Sequence, residues 1–417
     1  MVIPAGNLWE ETAAEAFDAP PLEGDLRVDI AIVGAGYTGC AAALAAADKG
    51  ASVAVLEAET VGFGGSGRNV GLVNAGLWLP PDEVEGALGA GPGARLIEAL
   101  GQGPETVFDL IERYQIRCEA RRNGTLHCAH KPSAMRDLER RASQWQARGA
   151  PVEVLDAAAA QARVGSRAVH GALLDHRAGT IQPLAYVRGL ARAAVSLGAQ
   201  IFENTPVSGS RREGGQWVLE TPNGRVSAAR VLVATNAYHL PIPGMARAQT
   251  SLVHFFQAAT DPLENTDILQ GEEGCWDTAL VMSSFRRDAA GRLIIGAMGL
   301  PERDGGLHLR WLQKKMTALF PDLGRQSLTG VWHGRIAMTR DHVPKLVRSG
   351  PGLYAIFGYS GRGIAPGTVM GLALGRGILS GDLSNAPLQA IETYGESFPK
   401  LRSAYYEAGA RLMHLLP

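Results

Sequence analysis

The stretch Val28–Glu57, VDIAIVGAGYTGCAAALAAADKGASVAVLE, decides the fold class. An apolar run, Ile30–Val33, meets Gly34, Gly36 and Gly39 in a G-x-G-x-x-G array. A helix of small residues follows, stops at Gly50, and gives way to a second apolar run ending on Glu57. Gly34 permits the tight strand-to-helix turn, Gly36 lets a pyrophosphate approach the backbone, and Gly39 lets the helix lie close on the sheet. The helix N-terminus offers unpaired N–H groups and its positive dipole end to phosphates. Glu57 is spaced to accept hydrogen bonds from an adenosine ribose, and its charge repels a 2′-phosphate. A glycine triplet alone means little in a chain with 52 glycines. Strand, triplet, helix, strand and acid in this order specify a dinucleotide-binding unit.

Working outward, residues 1–25 form an arm ending in Pro20-Pro21 and a polar turn. Beyond the unit, Gly62–Asn69 is too dense in turn residues to be an element. Helical periodicity marks 94–114, 133–148, 183–197 and 310–320. Strands are expected at 124–129, 200–203, 217–220, 225–235, 251–259, 279–285 and 292–297, the last three alternating as in an antiparallel sheet. Tyr354–Phe357, then Gly358–Gly363, then a helix to about Ser380 repeats the strand–glycine–helix order of the beginning. These segments divide into a discontinuous dinucleotide domain (26–90, 150–245, 330–385), a second domain (91–149, 246–329) and a C-terminal helix (386–417).

Composition narrows the function. The 417 residues are 46% hydrophobic and 19% charged with net charge −1, so no basic field invites nucleic acid or an anionic membrane. Cys40, Cys118, Cys128 and Cys275 contain no C-x-x-C pair, which argues against zinc, a dithiol motif or a disulfide framework. No metal-spaced histidine cluster stands out. The first residues lack a basic region followed by an apolar one, and no apolar run approaches membrane length. The chain reads as soluble and cytoplasmic.

GDLRVDIAIVGAGYTG, GFGGSGRNVG, VLVATNAYH and GYSGRGIAPGTVMG, in that order, resemble the D-amino-acid oxidase superfamily of FAD enzymes, and within it the γ-glutamylputrescine oxidase and L-pipecolate oxidase group. The resemblance covers about residues 20–380. It implies an α/β fold: a glutathione-reductase-like FAD-binding Rossmann domain interleaved with an α+β substrate domain built on an antiparallel sheet. It further implies oxidation of the C–N bond of an amine or amino acid by hydride transfer to flavin N5, with the imine hydrolysed and oxygen the expected acceptor. By the same resemblance Ser66, Gly67, Arg68 and Asn69 lie along the pyrophosphate and flavin edge, and Val207 contacts adenine. Thr235 closes over the dinucleotide. Gly334, Gly358, Ser360, Gly361, Gly363 and Ile364 border the flavin, with the helix after Gly363 facing its N1–C2=O region.

Two departures set this chain apart from the family pattern. Arg362 replaces the usual histidine of G-Y-S-G-His-G, and Ala365 stands where the sarcosine-oxidase branch has a carboxylate-holding lysine. Arginine can fork onto a carboxylate, phosphate or phosphonate, or it can reach only flavin or solvent. Tyr359, His333 and Arg362 are the residues expected nearest the chemistry; Arg286, Arg335 and His254 are the substrate-binding candidates. With no cysteine after Cys275, the FAD is expected to be non-covalent. The alternatives are an oxidase of N-alkylated zwitterions or anionic amines such as aminophosphonates, a dehydrogenase, and a flavin-binding subunit serving a partner.

Overall fold

The computed structural model describes residues 7–245, 249–264, 266–301, 306–323 and 326–415. Two eight-stranded sheets organise the chain. In the first, Leu26–Val33 lies parallel between Gly224–Val233 and Val53–Leu56. Gln200–Phe202 extends it parallel beyond Val53–Leu56. Leu353–Phe357 extends it on the other side, followed by Lys345–Gly350 in antiparallel pairing. Strand Leu26–Val33 is apolar and buried over its last four residues, as a central parallel strand covered on both faces should be.

The second sheet runs Leu328–Met338, Ser251–Pro262, Arg292–Met298, Ser283–Arg287, Gly274–Asp277, Thr125–Cys128, Ala172–Asp175, Val152–Leu155. Its pairings are antiparallel except for Gly274–Asp277 against Thr125–Cys128. This is the α/β architecture expected from sequence, a nucleotide-binding sheet beside an antiparallel one.

The ladders move the expected domain boundaries. Strands 152–155, 172–175 and 328–338 hydrogen-bond into the second sheet, although the expected boundaries placed 150–245 and 330–385, and so all but the first two residues of 328–338, with the first. Helices Ala90–Gly101 and Gly103–Arg113, expected with the second domain, bury Leu96, Leu100 and Val107 in the first core. The single helix expected over 94–114 is two, with Pro104 in the first turn of the second. Residues 279–282 are a loop and the strand begins at Ser283. The Asp277 carboxylate accepts from Ala279 N–H, Ser283 N–H and Ser283 Oγ, satisfying the loop locally. The C-terminal helix is shorter than 386–417, spanning Pro399–Leu415.

The expected arm is a wedge. Helix Leu8–Thr12 is capped by the Asn7 side chain and carries the fully buried Trp9, whose Nε1–H donates to Asn69 O and whose ring meets Trp332 edge-on.

The dinucleotide helix Tyr37–Ala47 is buried along its whole length between the first sheet and helix Ile364–Ser380. Small residues make this approach possible. A Cβ on Gly371 would lie 2.5 Å from Thr38 O, and one on Gly375 2.3 Å from Ala42 O. Gly375→Ala is therefore expected to lower stability by about 1–3 kcal/mol through overpacking. Gly86→Ala, where nothing lies within 4 Å of the added carbon, should stabilise its helix by roughly 0.5–1 kcal/mol. Urea midpoints of the two variants measure the contrast, and equal shifts would mean the two helices have room to spare.

Candidate functional site

The first glycine motif builds a cradle. Gly34 adopts φ +101°, and Gly36 N-caps the helix with no side-chain cap. A Cβ on Gly36 would sit 2.9 Å from Ser66 Oγ, and one on Gly39 only 1.9 Å from Gly34 O. Gly34 and Gly36 thus line an open cavity, while Gly39 seats the helix beneath it. At the end of the next strand, the Glu57 carboxylate accepts Ala35 N–H at 2.7 Å and Glu59 N–H at 3.1 Å. Burial pushes its pKa up, opposed by these backbone donors.

The loop after it divides between two faces. Ser66 and Asn69 line the cavity. Asn69 Nδ2 donates to Tyr37 Oη, Gly65 O and Ser66 O, and its Oδ1 accepts Gly71 N–H, so the loop is braced from within. Gly67 and Arg68, expected along a pyrophosphate, do not line the cavity. Gly67 O accepts from Asn7 Nδ2. The Arg68 guanidinium donates to Phe63 O and His333 O and lies over the Phe63 ring at 4.9 Å.

The second motif closes the other side. Gly358 N–H donates to Asn236 Oδ1, and its φ of +83° places a would-be Cβ 2.3 Å from Thr339 Cγ2. Gly358 therefore shapes the turn without lining the cavity; Ser360, Gly361, Arg362, Gly363 and Ile364 line it, with Gly363 capping helix Ile364–Ser380. Tyr359 also lines the cavity, but its hydroxyl is bonded to Thr38 Oγ1 at 2.8 Å and burial holds its pKa far above the usual phenol value. Its hydroxyl thus ties the loop to the cradle helix.

The cavity, about 730 Å³, joins both sheets: Val33 and Leu56 come from the first, with Val207, Ala234 and Thr235 in loops that follow its strands, and Gln257, Trp276 and Ser284 come from the second. Thr235 Oγ1 bonds His239 Nδ1 at 2.9 Å. The C-terminal helix adds Tyr406, Gly409, Ala410 and Met413.

Of the charged candidates, Arg362 and Arg335 face this space. Arg362 stacks 4.5 Å over the Trp276 ring, which in turn stacks 3.4 Å from His127. One guanidinium N–H donates to Ala75 O, and among the described residues no carboxylate pairs with it. Burial pulls its pKa down to about 9, with Arg141 pushing the same way and Asp175 opposing. His127 is held neutral, chiefly by burial, so it does not add a second charge to the stack. Arg335 stacks 4.4 Å over Tyr238, whose hydroxyl accepts the Arg335 N–H.

The remaining candidates lie elsewhere. Along Ser251–Pro262, Val253, Phe255 and Gln257 line the cavity, so strand alternation sends His254 to the opposite face, 3.9 Å from Glu407. His333 pairs with Phe256 in register and does not line the cavity. Gly334 sits under the Phe255 ring, 2.5 Å from a would-be Cβ, and likewise does not line it. Arg286 is fully buried beneath Trp9, 5.1 Å from its ring. Sequence reasoning missed Trp276, Gln257, Tyr238 and the C-terminal helix. Trp276 lies in a four-residue strand, too short for alternation to reveal its face.

These residues fit an adenine dinucleotide flavin: two helix N-termini and a glycine cradle for phosphate, and Glu57 for ribose hydroxyls. A family model described as FAD dependent oxidoreductase (DAO) matches residues 29–376. A probable oxidoreductase, OrdL, of Rhizobium meliloti is 31% identical over 387 residues, 90% of each chain. The gamma-glutamylputrescine oxidoreductase of Escherichia coli is 30% identical over 406 residues, 94% of this chain and 95% of that one. The crystal structure of glycine oxidase from Geobacillus kaustophilus superposes with a TM-score of 0.70 over 86% of this chain and 95% of that one. At 24% identity it speaks to the fold alone. No helix among the described residues is long and apolar enough to cross a membrane.

Gly36→Val should yield largely flavin-free protein, because the branched side chain fills the cradle. Glu57→Gln keeps an acceptor but loses its charge and should weaken FAD binding by about 1–2 kcal/mol. Flavin absorbance of the purified variants reads both. A fully loaded Gly36→Val protein would place the phosphates elsewhere.

Proposed function

Because this chain belongs to the DAO family of FAD-dependent oxidoreductases, we propose that it oxidises the C–N bond of an amine or amino acid whose far end carries a negative charge. The observation that carries this reading is Arg362, a guanidinium facing the cavity with no carboxylate partner among the described residues. Its lowered pKa states the same fact energetically: the cation is under-solvated, and an anion placed against it would relieve the cost. The Trp276 ring fixes the plane of the fork, which suits a carboxylate, phosphate or phosphonate, and Arg335 offers a second cation in the same space.

The protein's part in the reaction is binding, orientation and exclusion of water. FAD, when bound, supplies the two-electron acceptor for the C–N bond. Glu57 would hold the ribose, the cradle at Gly34–Gly36 the phosphates, and the N-terminus of Ile364–Ser380 would favour negative charge placed before it. Apolar walls from Val253, Phe255, Val281, Met282 and Met413 disfavour a protonated amine, so the free base is the form that reacts. No base is required among the lining residues, consistent with Tyr359 being locked to Thr38. The four cysteines are buried and none lines the cavity, which supports non-covalent FAD. Oxygen is the acceptor we favour, which makes the enzyme an oxidase.

A panel of amines with anionic or neutral tails, added anaerobically, tests the reaction by bleaching of the flavin. Peroxide release in air against turnover with an artificial acceptor separates oxidase from dehydrogenase. Arg362→Ala should lower kcat/KM for anionic-tailed amines by roughly 10- to 150-fold, the worth of a charge-assisted contact, with Arg362→Lys between it and the wild type. Neutral-tailed amines should lose less, and flavin content should hold. Equal losses for both classes would give Arg362 to the cofactor and end the anion-clamp reading.

A further inference from the structure

The ring on which the Arg362 guanidinium lies is held by packing alone. The buried indoles of Trp9, Trp217 and Trp332 each donate Nε1–H to a backbone carbonyl, of Asn69, Pro351 and Arg68 respectively. Among the described residues the Trp276 indole has no such bond. Its two flat contacts are the Arg362 guanidinium, 4.5 Å from the ring centre, and the His127 ring, 3.4 Å away and tilted by only 12°. An imidazole that close leaves no room beside it on the same face, so the guanidinium takes the other.

His127 is the fixed member of this stack. Its strand, Thr125–Cys128, lies between Gly274–Asp277 and Ala172–Asp175, with Trp276 in register on one side and Leu173 on the other. Two residues back, on the same face of the strand, Thr125 Oγ1 donates to Asn74 Oδ1 at 2.7 Å. Neighbouring strands stand about 4.8 Å apart, so the two rings lean into contact rather than merely lying side by side. Burial, Arg141 and Arg362 all press the imidazole toward its neutral form, and it backs the indole without setting a second cation behind the first. His127 does not line the cavity, so any part it plays in recognition passes through Trp276.

We propose that His127 is a positioning residue for the anion site, an inference that rests on the reading of Arg362 given above: its imidazole holds Trp276 flat, and Trp276 holds the Arg362 fork at the cavity wall. Ala75 O, which accepts one guanidinium N–H, fixes one end of the fork, and the stack fixes its plane. Without the backing ring the indole can turn into the space behind it, and the fork turns with it while its charge stays. The loss falls on the grip of an anionic tail and not on the reaction at the amine end.

Steady-state kinetics of the FAD-loaded full chain with 5-aminopentanoate and its neutral counterpart pentylamine test this. His127→Val suits a strand but offers no flat face. It should raise KM for 5-aminopentanoate roughly 2- to 12-fold, the worth of one aromatic stack, with kcat unchanged. Pentylamine kinetics should stay at wild-type values, and His127→Phe should restore KM for 5-aminopentanoate. In an Arg362→Ala background His127→Val should change nothing further, because its whole effect passes through that side chain. Flavin absorbance and thermal unfolding report folding, and His127→Leu takes the place of a Val variant that does not fold. Equal losses for both amines, a fall in kcat, no rescue by Phe, or additive losses in the double variant would overturn the proposal. A wild type with no preference for 5-aminopentanoate, or a preference that survives Arg362→Ala, ends the anion-clamp reading and this proposal with it. A preference that Arg362→Ala removes and His127→Val leaves whole ends the positioning role alone.

Discussion

The structure rests on a contact that leaves no room for a side chain: the carbonyl of Gly34 lies where a Cβ on Gly39 would be. That approach brings the first turn of the dinucleotide helix against the strand end, beside Gly34 and Gly36, which line the cavity, and Tyr37 N–H donates to Ser66 Oγ there. Behind it, Gly371 and Gly375 let helix Ile364–Ser380 press on the same helix. One tightly held element therefore positions both glycine motifs, since Thr38 on it also holds the Tyr359 hydroxyl of the second. Precision at a phosphate site comes from packing, because a cradle loose by an ångström would forfeit its directed N–H groups.

The cavity wall opposite the cradle is governed by the cost of keeping a cation out of water. Arg362 sits against Trp276 and His127, an aromatic pair that offers it a favourable face but no countercharge. Arg286, beneath Trp9, is buried still more completely, and burial lowers its pKa to about 10. The two differ in what they face. Arg286 is enclosed by the wedge at Trp9, while Arg362 opens on the cavity. Position relative to a cavity, and not charge or burial, separates a structural arginine from a recognition candidate.

This explains what the sequence could reveal. Motifs whose chemistry depends on backbone geometry, Gly34–Gly39 and Gly358–Gly363, were legible because glycine is required there whatever surrounds it. Glu57 was legible through its fixed distance from the first motif. Side-chain direction was not. Arg68 follows a legible loop yet turns outward to Phe63 O, and His254 falls on the far face of its strand by a shift of one residue. Domain boundaries were hidden for a related reason: strands 152–155 and 172–175 join partners far away in sequence, which local periodicity cannot record.

The wedge at Trp9 has a consequence for the order of assembly. Its partners include Asn69, Gln182 and Trp332, the last far away in sequence. Until strand Leu328–Met338 is paired, the indole lacks its edge contact with Trp332. The loop beneath it, which carries Ser66 and Asn69, meanwhile has only its internal bonds from Asn69. Contacts this distant in sequence are slow to form and leave apolar surface exposed while they wait. The cofactor cradle is thus fully braced only when contacts that span most of the chain have closed.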